Sequence, residues 1–209
     1  MANPFEPEES VGQLWHRFIT RAANRGHPEA AVHLQEVSRA VGVMFRALGG
    51  DHGLRVEPSE ATTYVPRRRW LQRLAGTDER VELAWRDEES LRLPPRLDVF
   101  PDRELNRDLY LWLAALASAD GATGTPWLPH NQALTRRVLD DYPGLAARYE
   151  RLAEAELANR PAVDALPEDE AAQEAAIQQA LHEPGSVSTL PPARLPPQPV
   201  HLWLHPAPP

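Results

Sequence analysis

YVPRRRWLQRLAGTDERVELAWRDEESLRLPPRLDVFPDRELNRDLY, residues 64–110, contains a change of hydrophobic period that decides the fold. Val81, Leu83 and Trp85 alternate with Glu82, Ala84 and Arg86, the period of a half-buried strand. Asp87, Glu88 and Glu89 form a polar turn, after which Leu91 and Leu93 resume the alternation as far as Pro94-Pro95. From Pro101-Asp102 the period becomes helical. Asp102 is placed to cap, Glu104 falls in the first turn, and Leu105, Leu109, Trp112, Leu113 and Leu116 share one face. A lone hairpin is marginal in water, so the strands must lie against this helix and its neighbours.

Upstream, Val11, Leu14, Trp15, Phe18 and Ile19 predict a helix from about residue 9 to Gly26. A second is expected from about Glu29 to Leu48, stopped by Gly49-Gly50, so the two form an antiparallel pair. Leu54–Val56 and Thr62–Val65 are short β-favouring runs, and Pro66 opens a short helix ended by Gly76 with Trp70, Leu71 and Leu74 inward. Downstream, helices are expected over 131–142, from beyond Pro143-Gly144 to about Ala158, and over 168–182. The last 26 residues hold nine prolines, a polyproline-type tail with no core of its own, within which Val200–His205 alternates and can dock as an edge strand. The expected architecture is mainly α with a small antiparallel β-sheet (α+β). A helical, bundle-like domain spans 1–183 with its β unit at about 52–95, and a proline-rich tail, 184–209, leads to a further domain.

Composition narrows the chemistry. The chain has 209 residues, no cysteine and 42% apolar residues, with six tryptophans to build a core. All 22 basic residues are arginine. Without cysteine there is no disulfide framework, thiolate metal site or thiol nucleophile, and without lysine no Walker lysine, Schiff base or Ser–Lys pair. The net charge of −8 opposes general nucleic-acid binding. Residues 150–185 carry nine acids against two arginines, a local charge of −7, so the acidity is concentrated in the late helices. MANPFEPEES is no signal peptide and no apolar run is long enough to span a bilayer, which suits a cytoplasmic protein.

Arg67, Arg68, Arg69 and Arg73, with Trp70 among them, form the main candidate binding site. Guanidinium forks suit an acidic partner, a phosphate or nucleic acid. Exposed charge runs are usually solvated faces, and a tryptophan at this spacing is usually a core anchor. His27-Pro28-Glu29 matches half of the zinc deaminase signature, whose cysteine half is absent. Asp98, Asp102 and Asp108 suit turn, cap and solvent-facing helix positions better than an acid/base pair, while Asn106, Arg107 and Asp108 are placed to bond into the sheet. Gly121–Thr125 is a loop without the lysine of a P-loop. No catalytic, cofactor or metal residue is assigned. A nucleic-acid- or phosphate-binding module and a stand-alone hydrolase are the alternatives to a protein-interaction module.

Three runs carry a family resemblance: RRRWLQRLAGTDERVELAWRDEESLRLPPRLDVFPD, ELNRDLYLWLAALAS, and the region from YPGLAARYERL to PVHLWLHP. Together they resemble the N-terminal region of the NorD/CbbO family of activation proteins, over about Val41 to Pro206. The resemblance implies a von Willebrand factor A domain beyond this region, whose Asp-x-Ser-x-Ser metal motif does not occur here. It also implies an adaptor for a hexameric MoxR-type AAA+ ATPase (NorQ or CbbQ). The target would be Rubisco in the CbbO branch, or nitric oxide reductase in the NorD branch. On that basis docking falls to the arginine cluster or to the acidic helices of 150–185.

Overall fold

The computed structural model describes residues 26–59, 62–63, 80–120 and 126–206. The helices expected over residues 9–26 and 66–76 lie outside the described residues. Those described contain five α-helices: α1 (Leu34–Ala47), α2 (Arg103–Ala119), α3 (Trp127–Asp141), α4 (Ala146–Asn159) and α5 (Glu168–His182). The strands are short: β1 (Val32–His33), β2 (Arg55–Pro58), β3 (Thr62–Thr63), β4 (Arg80–Val81), β5 (Trp85–Arg86), β6 (Ser90–Leu93) and β7 (Arg96–Leu97). The fold is α+β, as the periods imply.

Helix α2 is the axis of the molecule. Asp102 caps it by accepting from the Glu104 N–H at 2.8 Å, which satisfies one of the orphan donors of the first turn. Leu109, Tyr110, Trp112 and every residue from Leu113 to Ala117 are buried, so the helix is covered on nearly all sides. The small residues at 114, 115 and 117 let neighbouring elements approach closely. Trp112 packs on Tyr149 of α4 with ring centroids 4.8 Å apart. Asn106 is fully buried without strain: its Oδ1 accepts from the Phe100 N–H at 2.9 Å, and its Nδ2 donates to the Phe100 and Ala30 carbonyls.

The second expected helix starts later than its apolar pattern suggests. Pro28–Ala30 is a 3₁₀ turn, Val32 and His33 pair antiparallel with Leu97 and Arg96, and only Leu34 begins α1. The backbone of 30–33 is engaged by Asn106 and by β7, and tertiary pairing overrides helical periodicity there. The C-terminus of α1 is a Schellman motif. Gly49, at φ +91°, donates to the Arg46 carbonyl and Gly50 to the Phe45 carbonyl.

Sheet order is β2–β6–β5, with β5 antiparallel to β6 and β2 parallel to it, while β1–β7 and β3–β4 form separate antiparallel ribbons. The β5–β6 hairpin is set by Asp87, whose Oδ1 accepts from the N–H groups of Glu89 (2.8 Å) and Ser90 (2.6 Å). Two sequence expectations change in detail. The alternation over 81–86 is not one strand, because β4 pairs with β3 and β5 with β6, and 82–84 cross between them. The three-stranded sheet is mixed rather than wholly antiparallel, because β2 arrives from α1 instead of from a hairpin.

The proline-rich segment has no core of its own, as its composition requires, but it enters the common one. Val200, Leu202, Trp203 and Leu204 are buried, and His205 makes a single parallel bridge to Trp85. Proline-rich backbone cannot supply a ladder of its own, so helix side chains satisfy it. Trp112 Nε1 donates to the Leu202 carbonyl at 3.0 Å and Trp127 Nε1 to that of Leu204 at 2.9 Å. Gln132 grips Val187 and Gly185, and Gln173 donates to Pro191. Residues 184–206 thus form a strap laced to the helices.

Candidate partner-docking site

Arg67, Arg68, Arg69, Trp70 and Arg73 lie outside the described residues. What is described is their point of attachment. Thr62 pairs with Val81 and Thr63 with Arg80, so the residues that flank 64–79 are held side by side in one two-residue ribbon. That ribbon follows β2 and runs directly into the hairpin β5–β6.

The acidic late helices are less uniformly available than their charge suggests. Glu150, Glu154, Glu168 and Glu183 are exposed, but Glu156 and Glu174 are buried inside the protein. Arg160, just past α4, forms a bidentate pair with Glu174 of α5 at 2.6 and 2.7 Å. The same guanidinium lies 3.6 Å from Glu156, and its Nη1 donates to the Pro199 carbonyl at 3.3 Å. Glu156 accepts from the His201 N–H at 3.2 Å and faces its Nδ1 at 3.0 Å. Gln178 adds a donor to Glu174 at 2.9 Å. The Arg160 and Glu156 side chains are 3% and 2% exposed, whereas His201 is 35% exposed. Burial alone would raise the Glu156 carboxyl, but the His201 and Arg160 charges and the His201 hydrogen bonds outweigh it and hold the group below the usual carboxylate range.

The other carboxylates singled out from the sequence serve structure. Asp98 pairs with Arg96 at 2.8 Å and Asp102 caps α2. Asp108, expected at a solvent-facing position, is instead mostly covered: it accepts from Arg148 at 2.9 Å and Arg151 at 2.8 Å, tying α2 to α4. His27 faces Glu29 at 3.5 Å. Among the described residues no three His, Cys, Asp or Glu side chains converge as metal ligands, and none of their helices is long and apolar enough to cross a membrane. The arrangement holds chain segments together through engaged carboxylates. The Glu156–Arg160–His201 cluster was missed by sequence reasoning; the i, i+4 spacing of Glu156 and Arg160 is its only local trace.

Comparison with known proteins bears on the same residues. The chain is 48% identical over 207 residues to Protein NorD of Stutzerimonas stutzeri, a match covering 99% of this chain and 34% of that protein. It is 36% identical over 173 residues to Protein NorD of Brucella abortus, covering 77% of this chain and 27% of the relative. The chain corresponds to one region of the NorD proteins. It is also 47% identical over 206 residues to an uncharacterized protein of Pseudomonas aeruginosa, 99% of this chain and 34% of that one. The chain spans about a third of the length of these NorD relatives. No family model matches it, and no solved structure matches significantly. The matches of 206 and 207 residues extend over nearly the whole chain, the proline-rich strap included.

Proposed function

We propose that this chain is a non-catalytic adaptor region of a NorD-type protein, acting in the cytoplasm with a hexameric MoxR-type AAA+ ATPase of the NorQ kind to activate nitric oxide reductase. The observation that carries this reading is the 48% identity to NorD across nearly the entire chain. The NorD relatives favour the nitric oxide reductase branch over the Rubisco branch. Docking on the ATPase falls to Arg67, Arg68, Arg69, Trp70 and Arg73. Four guanidinium forks and an aromatic anchor suit an acidic protein surface. Recognition of the target enzyme belongs to a von Willebrand factor A domain elsewhere in the whole protein. The described part of the chain acts as a mount, since most of its buried polar side chains hold the strap and the turns.

The test is co-purification of the chain with the NorQ-type hexamer, together with its effect on ATP hydrolysis. Reversing Arg67, Arg68, Arg69 and Arg73 to Glu is expected to lower retention at least about tenfold, the scale of losing a few interfacial charge pairs. Undiminished retention and stimulation remove the arginine docking edge. No retention of the unmodified chain removes the adaptor reading. Binding to nucleic acid instead, with an affinity that falls steeply with salt, points to a nucleic-acid module.

A further inference from the structure

Among the described residues, the charges that fasten the strap at its buried end balance only when one histidine is protonated. Glu156 and Glu174 place two carboxylates, 2% and 5% exposed, around the single guanidinium of Arg160. The second positive charge can come only from His201 among the groups described here, and its Nδ1 stands 3.0 Å from Glu156 Oε2. We propose that His201 is a proton-controlled clasp between the strap and helix α4. Protonated, it neutralises the buried network and holds Val200–Leu204 in the core. Neutral, it leaves two buried carboxylates facing one guanidinium, and the strap loosens.

Three observations support this. First, the clasp acts on backbone as well as side chain. Glu156 also accepts the His201 N–H at 3.2 Å, and Arg160 holds the Pro199 carbonyl at 3.3 Å, so both residues next to Val200 are tethered to the same network. Second, an excess negative charge in a buried site is costly, and imidazole is the side chain whose ordinary range lets it change charge near neutral pH. Third, among the described residues the strap makes one β-bridge to the rest of the fold and is otherwise fastened there through side chains, which lets it open without unfolding the helices. The titratable and charged groups described around His201 are Glu156 and Arg160 from the α4 end, Glu174 from α5, His205 from the strap and Glu82 from the β4–β5 connection. His205 acts in the opposite sense to His201, since burial keeps it neutral and acid makes that unfavourable.

The experiment is amide hydrogen exchange on the 209-residue chain at pH 6 and pH 8, comparing unmodified protein with His201→Gln, so that most of the His205 contribution, which comes from burial, cancels. Protection of the Leu202–Leu204 amides, referred to α2, is expected to favour the unmodified protein by a ratio that grows about tenfold from pH 8 to pH 6, one unit of linked protonation. A ratio constant across that range overturns the proposal. So does strap exchange identical to that of α2 at both pH values, because the strap then opens only with the whole fold. Should His201→Gln not fold, the isosteric Glu156→Gln carries the same comparison. It removes the excess carboxylate, so the unmodified protein is again expected to gain protection relative to it at pH 6, and a constant ratio is again fatal.

Discussion

Asn131 on α3 pairs with both backbone groups of Leu204: its Nδ2 donates to the Leu204 carbonyl at 2.9 Å and its Oδ1 accepts the Leu204 N–H at 2.8 Å. A buried side chain thereby stands in for a neighbouring strand. Asn131→Leu is expected to destabilise the fold by about 1–3 kcal/mol, because it leaves the buried Leu204 N–H unpaired, while the Leu204 carbonyl keeps the Trp127 indole N–H. Urea unfolding followed by tryptophan emission measures this, with Trp203 beside the site as reporter. A loss below about 0.5 kcal/mol shows that the strap does not need this contact.

Arg160 is the hub of the buried network, and its removal strands two carboxylates. Arg160→Leu is expected to cost about 3–5 kcal/mol, the range for breaking one partner out of a buried ion pair. The double change Arg160→Leu with Glu174→Leu is expected to recover part of that loss. A double-mutant cycle by chemical denaturation separates the coupling from the packing. Strict additivity would mean that the close contact between Arg160 and Glu174 carries no energy.

His205 packs against Trp127 with ring centroids 5.3 Å apart and donates from Nε2 to the Val200 carbonyl at 3.0 Å. Burial pulls its pKa down to about 4, with nearby His201 adding to the fall and the Val200 bond opposing it. The unfolded chain takes up a proton as pH drops below about 6.5, while the folded chain does not until near 4. Stability from this residue is therefore full above pH 6.5 and lost as pH falls from 6.5 to 4. The loss is at most about 3 kcal/mol, an upper limit because the residue is only half-buried. His205→Gln is expected to flatten this part of the stability–pH curve relative to the unmodified protein, as read from unfolding midpoints at pH 7, 6 and 5.

The two glycines after α1 are expected to respond unequally to alanine. A Cβ on Gly50 would sit 2.4 Å from the Phe45 ring, inside the core, whereas Gly49 has open space around it and only its φ of +91° to resist. Gly50→Ala is expected to cost about 1–3 kcal/mol through overpacking. Gly49→Ala should cost about 1 kcal/mol through backbone strain. Thermal melts of the two variants give the order, and the reverse order would relocate the constraint from packing to backbone conformation.

Legibility in the sequence tracked the range of the interactions. Helix α5 runs from Glu168 to His182, as its spacing predicts, and α2 runs from the residue after its Asp102 cap. Both are set by local periodicity and capping, which any window of the chain contains. Helix α3 starts at Trp127, four residues before the expected Asn131. Its first turn carries Pro129, which a first turn tolerates because its N–H has no intrahelical partner. Strand β1 was hidden inside a helical pattern, because Val32 and His33 pair with Leu97 and Arg96, which lie far along the chain. The candidate site divides in the same way. The arginine cluster could be named from composition alone, while Glu156 and Glu174 looked like surface acids until Arg160 and His201 were seen between and beside them.

Local chemistry in the chain determined the helix-dominated α+β class, the Asp102 cap of α2, the Gly49-Gly50 stop of α1, the exclusion of cysteine and lysine chemistries, and the family resemblance. Those properties follow from residue type and near-neighbour spacing. Only the tertiary structure decided that the proline-rich end belongs in the core, that β2 runs parallel to β6, and that two acids of the late helices are internal. Each of these depends on contacts between residues far apart in sequence. The energy of burying Leu202, Trp203 and Leu204 exists only once Trp112, Trp127 and Asn131 are assembled to receive their backbone.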